Sequence, residues 1–380
     1  MTSFEWIADQ KSLDSIIDSL VGAEQYALDT EFHRERTYHP QLALVQLSVE
    51  GRVALIDPLR VDVAPLRRAF ESDAVCVMHA GAQDLEILLA RCGALPAQIF
   101  DTQVAALFAG YRTASLGSLV QDLLGVHLDK SSQLTDWTRR PLPAADQRYA
   151  VSDVTHLVPL RSTLTARLEE SGRVSWAEEE IERLRSKDRS RPDPDTLWWK
   201  LRGKSKLTGR ARGVAQALAR WRDEVACQRD RPPRTVLSDM ALLSLAQRPA
   251  RNERDLAGVR NFDVRRFKHT DALLDAIRRG SEMPKTDLRL PPKKPENQPQ
   301  VDGVVTLCLA WLSQRARDEK IDPSVLGTRD DVTTLVLAGN SRLASGWRHA
   351  LVGADLEAIV AGDAVLRVSG TGLELLDRTP

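Results

Sequence analysis

Asp29 and Glu31 stand two residues apart in the run Leu28-Asp29-Thr30-Glu31-Phe32. In an extended segment residues i and i+2 share a face, so both carboxylates point one way and Thr30 points the other. Two like charges side by side on an apolar strand repel, and when ionised they require a cation between them. Hard oxygen donors suit Mg²⁺ or Mn²⁺ better than zinc. Asp84 follows His79-Ala80-Gly81 and falls in the first turn of a helix, where the helix dipole favours a carboxylate with or without a metal. His79 reads as a core histidine. Asp153 lies four residues after Tyr149, which on a helix places both on one face with Cβ atoms about 5–6 Å apart. A phenol beside a metal-bound carboxylate can position a water molecule. At its ordinary pKa it is a poor general base, so the metal must supply the acidification. Each signal has a plain alternative: a solvated strand end for Asp29 and Glu31, a dipole-stabilised helix start for Asp84, core packing for Tyr149.

The elements that must carry these residues alternate in type. Tyr26–Phe32, Leu42–Val49 and Val53–Ile56 are short β-rich runs, the last two split by Glu50-Gly51-Arg52, a spacing that suits antiparallel neighbours. Val63–Glu71 reads as helical and Ala74–Met78 as a strand. Gln83–Cys92 reads as a helix stopped by Gly93, and Ile99-Phe100 starts another strand. Leu116–Leu124 and Ala144–Glu170 have helical spacing, with Tyr149, Asp153, His156 and Leu160 near one face of the latter. Together these predict a mixed sheet with helices around it.

With 380 residues, 42% hydrophobic and 28% charged, the chain has room for two or three globular domains, and disorder or a collagen-like chain is excluded. No run of 18 apolar residues and no secretory signal is visible, so no membrane partner and a cytoplasmic location are expected. Four widely spaced cysteines form no CxxC pair, which excludes a cysteine-rich zinc site and argues against a disulfide scaffold. Zero net charge conceals segregation: about −8 over residues 1–200, about +11 over 201–300 and about −3 over 301–380. An acidic part could hold metal ions and a basic part a polyanion. Pro192, Pro194 and the basic stretch Lys200–Arg212 mark one boundary, and 284–300 reads as an extended linker. A loose repeat spans the two C-terminal segments: Trp221, Pro232-Pro233 and Val236-Leu237 are echoed by Trp311, Asp322-Pro323 and Val325-Leu326.

The order Asp-Thr-Glu, His-x4-Asp and Tyr-x3-Asp resembles the DEDD exonuclease superfamily, in its tyrosine branch. The surrounding text, Thr37-Tyr38-His39-Pro40-Gln41-Leu42, Phe100-Asp101-Thr102-Gln103 and Gln133-Leu134-Thr135-Asp136-Trp137, resembles the ribonuclease D family over about residues 4–185. Trp221-Arg222, Ala226, Arg229-Asp230, Pro232-Pro233, Val236-Leu237 and Asp239 resemble the helical HRDC domain, and 301–375 looks like a diverged second copy lacking the Trp-Arg and Pro-Pro pairs. The resemblance implies a ribonuclease H-like α/β fold with a five-stranded mixed sheet at 1–190, an HRDC domain at 205–283, a linker at 284–300 and a second all-helical HRDC-like domain at 301–375. It implies metal-dependent 3′→5′ exonucleolytic hydrolysis of RNA to nucleoside 5′-monophosphates. Asp29, Glu31, Asp84 and Asp153 would bind two divalent metal ions (Mg²⁺ or Mn²⁺), and Tyr149 would orient water. Backbone amides near Thr30, Phe32 and His33 would hold the terminal sugar, Leu42 would wedge against the last base, and Gln133 and Trp137 would contact the strand. The expected partner is RNA with a free 3′ end, such as tRNA precursors, and the expected state a monomer. A DNA 3′→5′ exonuclease of the same fold and a catalytically silent RNA-binding scaffold are the alternatives.

Overall fold

The computed structural model describes residues 3–111, 115–128, 135–259, 262, 269–292 and 300–377. They divide into two compact units, one of residues 1–31, 42–187 and 294–380, the other of 32–41 and 188–293.

The chain opens with β1 (Glu5–Ile7) and α1 (Gln10–Gly22), the latter capped by the Asp9 side chain, which accepts from the Ser12 N–H at 3.0 Å. β2 (Gln25–His33) carries Asp29 and Glu31. β3 (Gln41–Val49) and β4 (Arg52–Ile56) form an antiparallel hairpin with Val49 opposite Arg52. Its two-residue turn, Glu50-Gly51, has φ values of 49° and 78°, both positive, as the tightest hairpin turns require. After α2 (Arg67–Phe70), β5 (Val75–Met78) runs into α3 (Ala82–Cys92), which ends at Gly93 in the left-handed region. β6 (Gln98–Asp101) continues into α4 (Thr102–Phe108), followed by α5 (Leu116–Leu124).

Among the described residues the sheet has six strands in the order β1-β4-β3-β2-β5-β6, with β1–β4, β2–β5 and β5–β6 parallel. It is the mixed α/β sheet expected, with one strand more than the five anticipated. The addition is β1, whose three residues are too few to show a periodic pattern and which pairs along β4 with Trp6 opposite Leu55.

The stretch read as one helix over 144–170 is two, α6 (Ala144–Thr155) and α7 (Leu157–Glu170), followed by α8 (Val174–Arg185). Pro159 explains the break at His156. Inside a continuous helix it would offer no N–H to the Thr155 carbonyl. As the third residue of α7 it occupies a turn whose N–H groups need no intrahelical partner.

The second unit contains α9 (Arg210–Gln228), α10 (Pro233–Val236), α11 (Asp239–Gln247), α12 (Glu253–Ala257) and α13 (Thr270–Glu282). Its core holds Trp198, Trp221, Leu218, Leu242, Leu273 and Ile277. α9 and α13 approach so closely that a Cβ on Gly280 would lie 2.6 Å from Val214 Cα and 2.7 Å from the Gly213 carbonyl oxygen. Much of the segment read as a linker is pinned. Trp198 and Trp199 both donate their indole N–H to the Arg289 carbonyl, and the Gln216 amide bonds the backbone of Asp287 and Arg289. Residues 293–299 of that segment lie outside the described residues.

The C-terminal segment runs through α14 (Asp302–Asp318), α15 (Pro323–Leu326), α16 (Arg329–Ala338), α17 (Gly346–Arg348) and α18 (Ala354–Ala361). Its start reproduces the second unit: a long helix with a buried tryptophan, a single turn begun by proline, then a side-chain-capped helix. It departs from the all-helical expectation at its end, where β7 (Ala364–Ser369) and β8 (Gly372–Asp377) form an antiparallel hairpin. Nor does it stand apart as a domain. Trp347 stacks on Trp176 at 5.3 Å and meets Phe108 edge-on at 5.1 Å, in one apolar core with α4, α5, α7 and α8. Arg348, 3% exposed, pairs with Glu180 of α8 and donates to the Val325 and Leu326 carbonyls. A buried guanidinium is tolerable only when so paired.

Candidate active site

Ala27 of β2 shares a core with Trp137 and with Ala150, Val151 and Val154 of α6. The strand's period of two therefore turns Asp29 and Glu31 toward the same helix. One carboxylate oxygen each from Asp29, Glu31 and Asp153 lie within 4.8 Å of one another. Tyr149 sits one turn before Asp153, and its phenol pKa is raised well above the ordinary value, by burial first and then by Asp153, Glu31 and Asp29. Four residues scattered over 125 positions thus lie close together.

Asp84 joins them differently. Thr30, on the opposite face of β2 and buried, donates its hydroxyl to Asp84 Oδ1. The turn that presents Asp84 is built by Asp101, 1% exposed, which accepts from the Ala80 and Gly81 N–H groups at 3.1 and 2.8 Å. The same carboxylate caps α4 by accepting from the Gln103 and Val104 N–H groups. Ala80 takes a positive φ of 56° in this turn, and a Cβ on Gly81 would lie 2.9 Å from the Met78 sulfur. His79 is held by Thr102 at 2.9 Å. The Thr102 hydroxyl donates to the Met78 carbonyl, so His79 Nδ1 is the donor to Thr102, and burial lowers its pKa.

The electrostatics are those of uncompensated negative charge. Burial raises Asp29 well above the ordinary carboxyl range, with repulsion from Asp84, Asp153 and Glu31 adding to it. Burial and then Asp153, Asp84 and Asp146 push Glu31 up to about 8. Burial lifts Asp153 to about 7, and it raises Asp84 against the opposing bond from Thr30. Among the described residues no cation offsets these effects. A group of oxygen donors that cannot all ionise by themselves fits a hard divalent cation, which would let them.

The support is polar and specific. Arg140 grips Asp57, 2% exposed, through two 2.7 Å bonds, and it donates to the carbonyls of Ala43, Trp137 and Arg139. This clamp ties the 135–142 segment to β3 and the end of β4. It sets Trp137, whose ring centroid lies 6.1 Å from that of Tyr149.

Of the residues assigned to substrate, Thr30 is buried behind the carboxylates, and Phe32 and His33 end β2 partly buried, with the Arg34 guanidinium 5.2 Å from the Phe32 ring. Leu42 and Trp137 are each 4% exposed, so neither offers a free face for a base in this conformation. Gln133 lies outside the described residues. Three contributors escaped the sequence reading. Asp146, buried and accepting from Thr135 Oγ1 at 2.9 Å, raises Glu31, and its place seven residues before Asp153 on α6 was a usable signal. Asp101 carried the mark of an N-cap. Arg140, one residue before a proline in a polar loop, left none.

The chain is similar to known proteins over nearly its whole length. A family model for 3′-5′ exonucleases matches residues 4–169, and one for the HRDC domain matches 211–277. Ribonuclease D of Granulibacter bethesdensis is 35% identical over 97% of this chain and 96% of its own. That of Gluconacetobacter diazotrophicus is 34% identical over 96% and 95%. The crystal structure of Escherichia coli RNase D, described as an exoribonuclease involved in structured RNA processing, superposes with a TM-score of 0.85 at 29% identity, covering 95% of this chain and 99% of that one. The chain belongs to the ribonuclease D family and is a 3′-5′ exoribonuclease.

Proposed function

We propose that the chain removes nucleotides one at a time from the 3′ end of RNA, tRNA precursors among them, releasing nucleoside 5′-monophosphates. It would act as a cytoplasmic monomer that holds two divalent ions, Mg²⁺ or Mn²⁺, through Asp29, Glu31, Asp84 and Asp153. The observation that carries the reading is the meeting of Asp29, Glu31 and Asp153 oxygens within 4.8 Å beside Tyr149. Bound there, divalent ions supply an acidified water and a counter-charge for the leaving 3′-oxygen. Tyr149, raised in pKa, keeps its proton at neutral pH and acts by holding a water in place rather than as a base. Trp137, packed against it and fixed through Arg140, limits the ring's swing. Asp84, bonded to Thr30, ties its helix to the strand that carries Asp29 and Glu31. The backbone at Thr30, Phe32 and His33 would receive the terminal ribose, and Gln133 would follow the strand; Leu42 and Trp137 would join it only once seated RNA displaces the packing that buries them.

The test is a pair of RNAs labelled at the 3′ or 5′ end, with Mn²⁺ or Mg²⁺ and with chelator. The reading expects immediate release of 3′ label as mononucleotide, gradual shortening of the 5′-labelled strand, and neither in chelator. Equal turnover by an Asp29→Ala variant would refute the site. DNA of the same sequence degraded as fast as RNA would move the substrate to DNA, since preference for RNA must rest on 2′-hydroxyl contacts.

A further inference from the structure

The strands β2 and β3 are neighbours in the sheet, yet seven residues, 34–40, connect them. Hairpin loops are commonly two to five residues, and a longer one needs an anchor to stay ordered. This one is anchored on α9 and the turn that follows it. Asp230 Oδ1 accepts from two successive backbone amides, Tyr38 N–H and His39 N–H, both at 3.0 Å. The Tyr38 hydroxyl donates to Asp223 Oδ1 at 2.9 Å, and the other Asp223 oxygen is paired with Arg191. The Arg191 guanidinium also lies over the Tyr38 ring, 5.4 Å from its centroid, and His39 Nε2 faces Cys227 Sγ at 3.6 Å.

Both aspartates are placed where local physics disfavours them. Asp223 is 7% exposed, and burying a carboxylate is costly without partners. Asp230 follows the C-terminal end of α9, where the helix dipole opposes negative charge, and its φ is +48°. Aspartate tolerates that backbone region better than most residues, but asparagine and glycine would serve as well there without the charge. What the two carboxylates gain in return is the loop. That loop leaves β2 directly after His33, and Phe32 is one peptide bond from Glu31.

We infer that Tyr38, Asp223 and Asp230 are positioning residues for the RNA 3′ end: the helical unit holds the 34–40 loop so that the backbone at Phe32 and His33 is set before substrate arrives. This rests on the function proposed above, in which that backbone receives the terminal nucleotide. Order imposed in advance lowers the entropic cost of binding, so its loss should appear in KM rather than kcat.

The test uses the full chain. Asp230→Gly removes the acceptor while keeping the positive φ accessible, Asp230→Asn retains an oxygen that can accept both amides, and Tyr38→Phe removes one hydroxyl. Expected for Asp230→Gly is a KM for short RNA about tenfold higher, the scale of losing hydrogen bonds to a charged acceptor, with kcat within about twofold. Faster amide hydrogen exchange should be confined to residues 34–40. Asp230→Asn should restore both properties, and Tyr38→Phe should raise KM in the same direction by less. An active parent whose KM ignores Asp230→Gly overturns this inference alone, whether loop exchange quickens or the melting temperature falls. Unchanged loop exchange overturns it at the level of structure. A parent without 3′-end turnover in Mn²⁺ overturns both this and the function it rests on.

Discussion

Replacing Glu31 by Gln should make the metal-free protein more stable at neutral pH while abolishing turnover. Glu31 titrates near 8 because burial and then Asp153 and Asp84 oppose its charge. Its unfolded counterpart titrates near the ordinary value of about 4.3. A folded state that holds a proton more tightly than the unfolded one gains stability at acid pH. That gain is fully present below about pH 4 and is lost as pH rises through about 8. At pH 7 the gap from the ordinary carboxyl value, at about 1.4 kcal/mol per pH unit, costs the folded state about 3–4 kcal/mol. Asp153, titrating near 7, is itself partly protonated there and relieves some of the repulsion, so about 2 kcal/mol should be recoverable by the neutral amide. For a unit of this size that is a rise of a few degrees in melting temperature. The assay is thermal unfolding in chelator between pH 5 and 8.5. Wild type should lose stability steadily across that interval, and Glu31→Gln should lose less, the curves converging as pH falls toward about 4. Added Mg²⁺ or Mn²⁺ should reverse the order by stabilising wild type more than the variant. Parallel curves, or a variant less stable than wild type at pH 8 in chelator, would refute the electrostatic account of the site.

Three further outcomes follow from the packing and the charge distribution. Arg140→Ala leaves the Asp57 carboxylate buried and unpaired and frees three carbonyls, so urea unfolding should show a loss of about 3–5 kcal/mol. Gly280→Ala forces a methyl against the backbone of α9, where a Cβ would lie 2.6 Å from Val214 Cα; a loss of about 1–3 kcal/mol should appear as faster hydrogen exchange in α9 and α13, with the exonuclease sheet unaffected. Because residues 201–300 carry about +11, RNA affinity should fall steeply with salt in a filter-binding or anisotropy titration, while the rate of single turnover at saturating RNA stays nearly constant. An equal salt dependence of both would argue against holding and chemistry residing in separate parts of the chain.

The clustered carboxylates were legible because each sits in a pattern with its own period. Asp29 and Glu31 follow the strand's period of two, Tyr149 and Asp153 the helix's four, and Asp84 the first turn after an apolar strand. Long-range partners leave no such trace. Arg140 and Asp57 are 83 residues apart, and Tyr38 and Asp223 are 185 apart; in each case a single charged residue in a loop or on a helix looks like ordinary surface until the fold closes around it. The same reason hid β1, where three residues show no alternation. It hid the fate of the C-terminal segment too. The repeat in Trp311 and Pro323 is real in the helices, but whether the copy stands alone is decided by Trp347, Arg348 and Glu180, which no repeat pattern predicts.

The residues whose local placement is least favourable form two sets, and the sets divide the work. Asp29, Glu31, Asp84 and Asp153 repel one another in a cluster that, among the described residues, no cation relieves. Asp223 and Asp230 are relieved by the protein itself, through Tyr38, His39 and Arg191. An unrelieved carboxylate cluster stores a demand for an external cation, which is what a catalytic centre requires. A relieved carboxylate is finished structure, and its use is to hold something still. By that criterion Asp57 belongs with the second set, since Arg140 satisfies it from within the chain. Asp146 stands between the two, bonded to Thr135 yet close enough to raise Glu31. Changing Asp146 to Asn should therefore ease Glu31 toward lower pKa without removing an oxygen from the cluster, shifting the apo stability curve in the same direction as Glu31→Gln but sparing turnover.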